Sequence, residues 1–399
     1  MRLRRLHLRG TDQWLGQLKL VGAERETWSR LSRKSDILIF LVESISAPAA
    51  NILKQSMLSG GADAIVSMKT ITCEVEKTRA LVVGTEKQVR RGCDSLAGQP
   101  FGLSELSKML LNAIESPPRP RSVMKAGDKV LDFSEGPLIM GILNLTPDSF
   151  SDGGLYGSTD AAVEHAERMA AHGASIVDIG AESTRPGAEP VSASIQLDRI
   201  LPVVERLSEN FSPVISVDTR IADVARSSLA AGAEMINDVS AFSDPEMAGV
   251  VAQAGVPAVL MHMRGIPENM QDDPVYRDAV GEIYDYLAGR VEVAEEAGIP
   301  RDRIFVDPGI GFGKRLEDNL QLISRIREFK WLGCRVLLGH SRKSFLKEIT
   351  GIEEASSRDT VTHSVTALSY GNADVVRVHD VEGTMHVMKM AQRLKGLEC

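Results

Sequence analysis

The 399-residue sequence predicts a (β/α)₈ barrel, an α/β fold, preceded by a small α/β N-terminal domain. Three observations predict it. From Leu138 onward, short apolar runs alternate with helical patterns. Each run stops at a polar side chain able to bind a ligand. A proline-rich stretch separates this region from the one before it.

Residues 1–115 read as the small domain. Leu6 and Leu8, alternating with polar neighbours, suggest an N-terminal edge strand. Ile37–Val42 reads as a short buried strand. Pro48–Leu58 reads as a helix with proline near its start and Gly60-Gly61 at its stop. Ala80–Val83 is a further strand, and Glu86–Leu96 and Leu103–Ile114 are helical. No P-loop, paired histidines or catalytic cluster occurs here, and Glu43, Lys54 and Glu86 read as solvated surface. The sequence assigns this domain no function. Residues 116–122 form the linker, with Pro117, Pro118 and Pro120 favouring an extended spacer. Residues 123–399 form the barrel domain. Its first piece, Val123–Gly136, carries Gly127-Asp128 between alternating segments and predicts a hairpin.

The barrel strands are expected at Leu138–Leu145, Ser175–Ala181, Val214–Val217, Met235–Ile236, Ala258–Met261, Ile304–Val306, Val336–Leu338 and Val375–Val378. Helices are expected between them, among them Ala161–Ala171, Ile195–Leu207, Asp223–Ala231 and Leu316–Phe329. An open doubly wound sheet is the alternative. It would usually carry fewer strands and a GxGxxG loop after the first, and that loop is missing.

Composition is that of a globular protein, with 43% hydrophobic and 25% charged residues. The net charge of −8 is uneven: residues 1–121 carry +7 and the remainder −15, so the two parts should attract one another. No basic stripe with interleaved aromatics points to nucleic acid. No apolar run approaches a membrane span, and the basic opening MRLRRLHLRG lacks the apolar core of a secretory leader. Cys73, Cys93, Cys334 and Cys399 have no metal-ligand spacing and read as reduced thiols of a cytoplasmic protein.

Barrel active sites lie at the carboxyl ends of the strands. Those ends carry Asn144; Asp178 with Glu182, Thr184 and Arg185; Asp218; Asn237 with Asp238; His262; Asp307; Ser341 with Lys343; and Arg377 with His379. Any one of these could be a cap or a turn residue, but eight converging ends are hard to explain that way. Two chemistries emerge. Arg185, Arg377, His379, Thr184 and Lys343 suit an anion, and Asn144 could offer an oxygen to a hydrated Mg²⁺. Asp218 and Asp307 can accept from adjacent N–H groups of a flat heterocycle, and Asn237 can both donate and accept. A zinc hydrolase is a poor reading, since His262 and His379 lie on different strand ends without a local ligand motif. Asp307–Lys314 resembles a phosphate loop only superficially.

The segments MGILNLTPDSFSDGG, DIGAESTRPGA, SVDT, INDVSA, LMHM, DPGIGFGK, GHSRKSFL and VVRVHDVEGT occur in that order, one per strand end. Together they resemble the motif series of the dihydropteroate synthase family, the sulfonamide targets of folate biosynthesis, over about residues 123–395. Residues 1–115 resemble, less closely, an N-terminal extension of some longer members.

The resemblance implies condensation of 6-hydroxymethyl-7,8-dihydropterin diphosphate with p-aminobenzoate to give 7,8-dihydropteroate and pyrophosphate, with Mg²⁺ as cofactor. It implies that Asp218, Asn237, Asp307 and Gly339 hold the pterin, with Lys343 near its carbonyl side and Met261 lining the pocket. Asn144 would meet the metal or diphosphate, and Thr184, Arg185, Arg377 and His379 would grip the diphosphate. Phe150, Pro186 and Phe312 would wall the p-aminobenzoate pocket, and Ser344 would receive its carboxylate at a helix start. Lys343, Asp218, Asp307 and Arg377 are the expected catalytic set. The loops Pro147–Gly157 and Glu182–Pro190, rich in Gly, Pro, Ser and Asp, suit a lid. A homodimer through barrel helices is the implied assembly.

Two other readings compete. A pterin-dependent methyltransferase on the same barrel would need the carboxylates but no diphosphate grip, and Arg185, Lys343, Arg377 and His379 together favour the synthase. A non-catalytic pterin-binding scaffold would be expected to lack a strand-end residue, and none is lacking.

Overall fold

The computed structural model describes residues 25–27, 36–72, 74–115, 120–145, 155–182, 190–265, 270 and 274–396. The chain divides into two compact units, Met1–Pro117 with Leu394–Cys399, and Pro118–Arg393. The expected strand at Leu6 and Leu8 lies outside the described residues.

The first unit runs β1 (Ile37–Ser46), α1 (Ala47–Gly60), β2 (Asp63–Val66), β3 (Lys77–Thr85), α2 (Glu86–Leu96) and α3 (Leu103–Glu115). Its three strands form an antiparallel sheet in the order β1-β3-β2. Ala64, Ala80 and Val82 face a core shared with Leu53, Met57, Val89, Cys93 and Leu96 of the helices. The alternate residues Ile37, Ile39, Leu41, Ile65 and Leu81 are exposed. The expectation of a buried strand at Ile37–Val42 is thereby corrected. Strand residues alternate between faces, and the helices cover only one of them. β2 was not anticipated; four residues are too few to show a period.

The second unit opens with the expected hairpin, β4 (Val123–Ala126) paired with β5 (Lys129–Asp132). Then come β6 (Leu138–Asn144), α4 (Leu155–Ala171), β7 (Ile176–Gly180), α5 (Ala193–Ser208), β8 (Val214–Asp218), α6 (Ala222–Ala230), β9 (Met235–Asp238), α7 (Met247–Ala254), β10 (Ala258–Met261), α8 (Ala279–Glu296), β11 (Ile304–Asp307), α9 (Leu316–Ser324), β12 (Arg335–Leu338), α10 (Ser344–Thr350), α11 (Asp359–Ser369), β13 (Val375–Val378) and α12 (Val381–Gly396). Strands β6 to β13 close a parallel eight-stranded barrel, β13 pairing with β6. The helix expected over Leu316–Phe329 ends at Ser324, and a 3₁₀ helix, Ile326–Leu332, follows.

Two-residue alternation sorts each barrel strand. Met140, Ile176, Val214, Met235, Val259, Phe305, Leu337 and Val375, one per strand, form an inner layer with Met124, Ala126 and Leu131 of the hairpin. The intervening residues, such as Ile139, Val177, Ile215, Ile236, Leu260, Val306, Val336 and Val376, join the larger core against the helices. The hairpin therefore plugs the amino-terminal mouth, and Lys129 fastens it by donating to Glu234 and to the Pro213 carbonyl, both at 2.7 Å.

Arg335 completes the plug. It is 2% exposed, its guanidinium carbon lies 4.2 Å from the Phe133 ring centroid, and it donates to the carbonyls of Asp302 (2.6 Å) and Arg121. Arg335→Ala removes these bonds and leaves a void, and should lower unfolding free energy by about 3 kcal/mol. Chemical denaturation checks this; a loss below about 1 kcal/mol would show that the surroundings collapse to fill the space.

Candidate active site

The inner-facing series continues past the apolar layer toward the carboxyl ends of the strands. Two or four residues beyond the apolar layer stand Asn144, Asp178, Ser216 and Asp218, Asn237, Met261, Asp307, Gly339, and Arg377 with His379. The alternation that fills the floor with hydrocarbon thus presents polar groups at the opposite mouth. Asp238, one residue out of step, turns outward and accepts from the backbone of Ser240 (2.7 Å) and Phe242 (2.8 Å), shaping a loop instead of the lumen.

Asp178 is fully buried and is the hub. Its carboxylate accepts from the Ser216 hydroxyl (2.6 Å), the Asn237 amide (2.8 Å) and Arg377 Nε (2.7 Å). Arg377 also donates through Nη2 to Asp218 at 3.0 Å. One guanidinium thus bridges two carboxylates, and the Asn237 side chain is fixed by its donated bond. Burial pushes the Asp218 carboxyl up to about 7, although Arg377 opposes the shift. Burial likewise raises Asp307 to about 6, against the Gly309 N–H at 2.7 Å and the nearby Lys343. A side chain at position 339 would sit 3.3 Å from Asp307 Oδ2, so glycine there leaves that carboxylate open.

Lys343 caps α10, and its Nζ lies 3.7 Å from the centroid of the Phe312 ring. The preceding turn is held by Arg342, at φ +58°, which pairs with both oxygens of Asp359 at 2.7 and 2.6 Å. Ser344 is exposed at the start of the seven-residue helix. Phe312 packs with Val239, Met261 and Met270. His379 Nδ1 is 2.9 Å from the Ser341 hydroxyl, which also receives the His379 backbone N–H at 3.2 Å. Asn144 ends β6, half-buried. Behind Phe312, burial holds Lys314 down at about 7 and His262 down at about 2, with their side-chain nitrogens 3.0 Å apart.

Phe150, Thr184, Arg185 and Pro186 lie outside the described residues, as do most of the two glycine-rich loops. The base of the second loop is described: Glu182 receives Arg220 at 2.9 and 3.2 Å and the Val191 N–H at 3.2 Å. A cavity of about 720 Å³ opens at the other end of the barrel, beside the hairpin. Lys129 and Asp132 are the ionisable groups among its described lining, and it lacks the carboxylate cluster.

The family described as pterin binding enzyme matches residues 140–379. Dihydropteroate synthase of Synechocystis sp. is 42% identical over 273 residues, covering 68% of this chain and 94% of the relative. The chain belongs to the dihydropteroate synthase family. A dihydropteroate synthase structure from Xanthomonas albilineans with 4-aminobenzoic acid superposes with a TM-score of 0.65 at 42% identity, covering 69% of this chain and 98% of that one. A probable bifunctional folylpolyglutamate synthase/dihydropteroate synthase of Halobacterium salinarum is 42% identical over 345 residues, 86% of this chain. This chain spans 41% of that relative. That alignment is longer than residues 123–399, so the likeness continues into the N-terminal unit.

Within this dihydropteroate synthase barrel, the described site residues expected from the sequence line the lumen mouth or the loops directly after it. Sequence reading missed the importance of Asp178, which it noted as a strand end without a role. Ser216 appears there only as the first residue of SVDT, with no role of its own. Both stand an even number of residues beyond a floor residue, Ile176 and Val214 respectively, and that spacing was the available signal.

Proposed function

We propose that the barrel binds 6-hydroxymethyl-7,8-dihydropterin diphosphate and transfers its pterin-methyl group to the amine of p-aminobenzoate, releasing pyrophosphate. The observation that carries this reading is the set of buried Asp178, Asn237 and Asp307 with the largely buried Asp218, braced by Arg377. A dihydropterin offers an amino group and adjacent ring N–H groups. Asp218 and Asp307 can accept from them, and Asn237 keeps an oxygen free to accept another. Lys343 would donate to the carbonyl side of the ring. Arg377 and His379, with Thr184 and Arg185, would meet the diphosphate.

An arylamine is already a neutral nucleophile, so departure of pyrophosphate is the demanding step. The site's cations offset the charge growing on the leaving group. The electron-rich dihydropterin shares positive charge at its methylene carbon, and a dissociative route follows. The C–O bond breaks, the cation waits against Phe312, and the amine attacks and then releases a proton to solvent. Phe150 and Pro186 would complete the p-aminobenzoate wall, and Ser344 would take its carboxylate.

Among the described residues no three His, Cys, Asp or Glu side chains could cage a metal. A single neutral oxygen from Asn144 suits Mg²⁺, which keeps most of its waters and takes its remaining ligands from a diphosphate. When bound, the ion would neutralise diphosphate charge. The same reading has the protein act as a cytoplasmic homodimer. Among the described residues, no helix is long and apolar enough to cross a membrane.

Pyrophosphate release with both substrates and Mg²⁺ tests the proposal. Lys343→Ala should slow release by roughly 10²-fold or more. A folded wild-type chain that binds the pterin yet gives no turnover would redirect the reading to a methyltransferase or a scaffold.

A further inference from the structure

We propose that Lys314 is a positioning residue for the second-substrate wall, holding Phe312, and through it Lys343, by tying the loop after β11 to the end of β10. The inference rests on the reading of this pocket as the p-aminobenzoate site.

Lys314 is 4% exposed and, among the described residues, makes no ion pair with a carboxylate. In its protonated form the Lys314 amine has three protons to place. Here they meet the Phe312 carbonyl at 2.8 Å, His262 Nδ1 at 3.0 Å and the His262 carbonyl at 3.3 Å. Nδ1 accepts when the ring proton sits on Nε2. The ring itself is held edge-on to Tyr286, with centroids 4.9 Å apart. Asp307 and Asp318 favour its charge only from a distance, so burying this cation without a direct ion pair is unfavourable, and a methionine would fill the same space without that cost. What the lysine adds over methionine is the three directed bonds, which join two strand ends.

The loop needs such a tie. Gly309 and Gly313 have φ of +69° and +63°. A side chain at 309 would come within 1.9 Å of the His262 carbonyl oxygen, and one at 313 within 2.8 Å of that of Arg264. The loop therefore lies directly on the backbone of residues 262–264, and its glycines give it little stiffness of its own. Gly311 is held by Asn319 at 2.7 Å and Gly313 by the Tyr276 hydroxyl at 2.9 Å. Lys314 fastens Phe312 between them. The Phe312 ring in turn lies beneath the Lys343 ammonium. Loss of the clasp would loosen the aromatic wall first, while Asn237, bonded to Asp178, and Asp178 and Asp218, both bonded to Arg377, stay in place.

The test is Lys314→Met in the full chain. In the ligand-free protein, amide exchange over residues 308–315 should quicken while the thermal midpoint holds or rises. In turnover, KM for p-aminobenzoate should rise roughly tenfold, while affinity for the dihydropterin diphosphate stays within about twofold. Unchanged exchange and unchanged p-aminobenzoate KM would overturn the proposal, as would equal weakening of both substrates. Should the methionine variant not fold, Lys314→Gln is read by the same two measurements. If the wild-type chain shows no turnover, the functional reading falls, and the exchange measurement alone decides on the clasp.

Discussion

Arg377→Met is expected to cost about 3–5 kcal/mol of stability and roughly 10³-fold in kcat/KM. The side chain donates to Asp178 at 2.7 Å and to Asp218 at 3.0 Å, and Asp178 is fully buried. Removing the guanidinium leaves two buried carboxylates facing one another without a cation. One must take a proton or draw in water, and Asn237 loses the fixed partner that orients it. Protonation turns one oxygen of a carboxylate from acceptor into donor, so on the proposed reading the damage reaches pterin binding as well as the diphosphate grip. Lysine should restore little. It brings one point charge where the arginine spans two acceptors in a plane. Thermal unfolding and steady-state kinetics on Arg377→Met and Arg377→Lys check this; a methionine variant with wild-type melting and activity within tenfold would mean that Asp178 and Asp218 do not depend on the bridge.

The second large effect is on pH dependence, and it has opposite signs for the free protein and for ligand binding. Burial holds Asp218 at about 7 and Asp307 at about 6, against an ordinary 3.8 for each. The folded state therefore binds these protons more tightly than the unfolded chain. The stabilising contribution is complete below about pH 4 and is lost as the pH rises toward 6 and 7. For ligand-free protein, these two groups should lower the thermal midpoint across that window. On the proposed reading the pterin uses both carboxylates as acceptors, so its affinity should rise over the same window, by up to about tenfold per pH unit for each proton released. Calorimetry in buffers of different ionisation enthalpy would count the protons, and Asp307→Asn should remove one of the steps. A dissociation constant that is flat from about pH 5.5 to 7.5 would mean that the carboxylates are already ionised in the free site.

The barrel was legible because each strand carries its own local signature. Ala258–Met261 and Val375–Val378 were read with the bounds they have. The site was legible for a related reason: the residues that end those runs had to face the lumen or the loops beside it. What the sequence withheld was pairing across distance. Asp178 and Arg377 are separated by 199 positions, and no local pattern announces that one holds the other. In sequence Lys314 is the tail of a poor phosphate loop, because its partners His262 and Phe312 meet it only in the fold. The N-terminal sheet shows the converse. Ile37–Val42 is apolar at every position, yet which face is covered depends on α1 and α2, and the run itself carries no trace of that.

The β6–β13 seam has a consequence for biosynthesis. Val375–Val378 pairs with Leu138–Gly141, so the first barrel strand completes its ladder only after the last has been translated. At roughly 5–20 residues per second, Leu138 waits on the order of tens of seconds with one edge unpaired. The hairpin waits almost as long for its last fastening, the bond from Arg335 back to the Arg121 carbonyl. A nascent chain in that interval presents an apolar strand with an open edge, which can pair with a neighbouring chain. Slowed translation across residues 340–375 should therefore depress the soluble yield more than the same delay placed before residue 120, where the small N-terminal sheet has already paired its own strands.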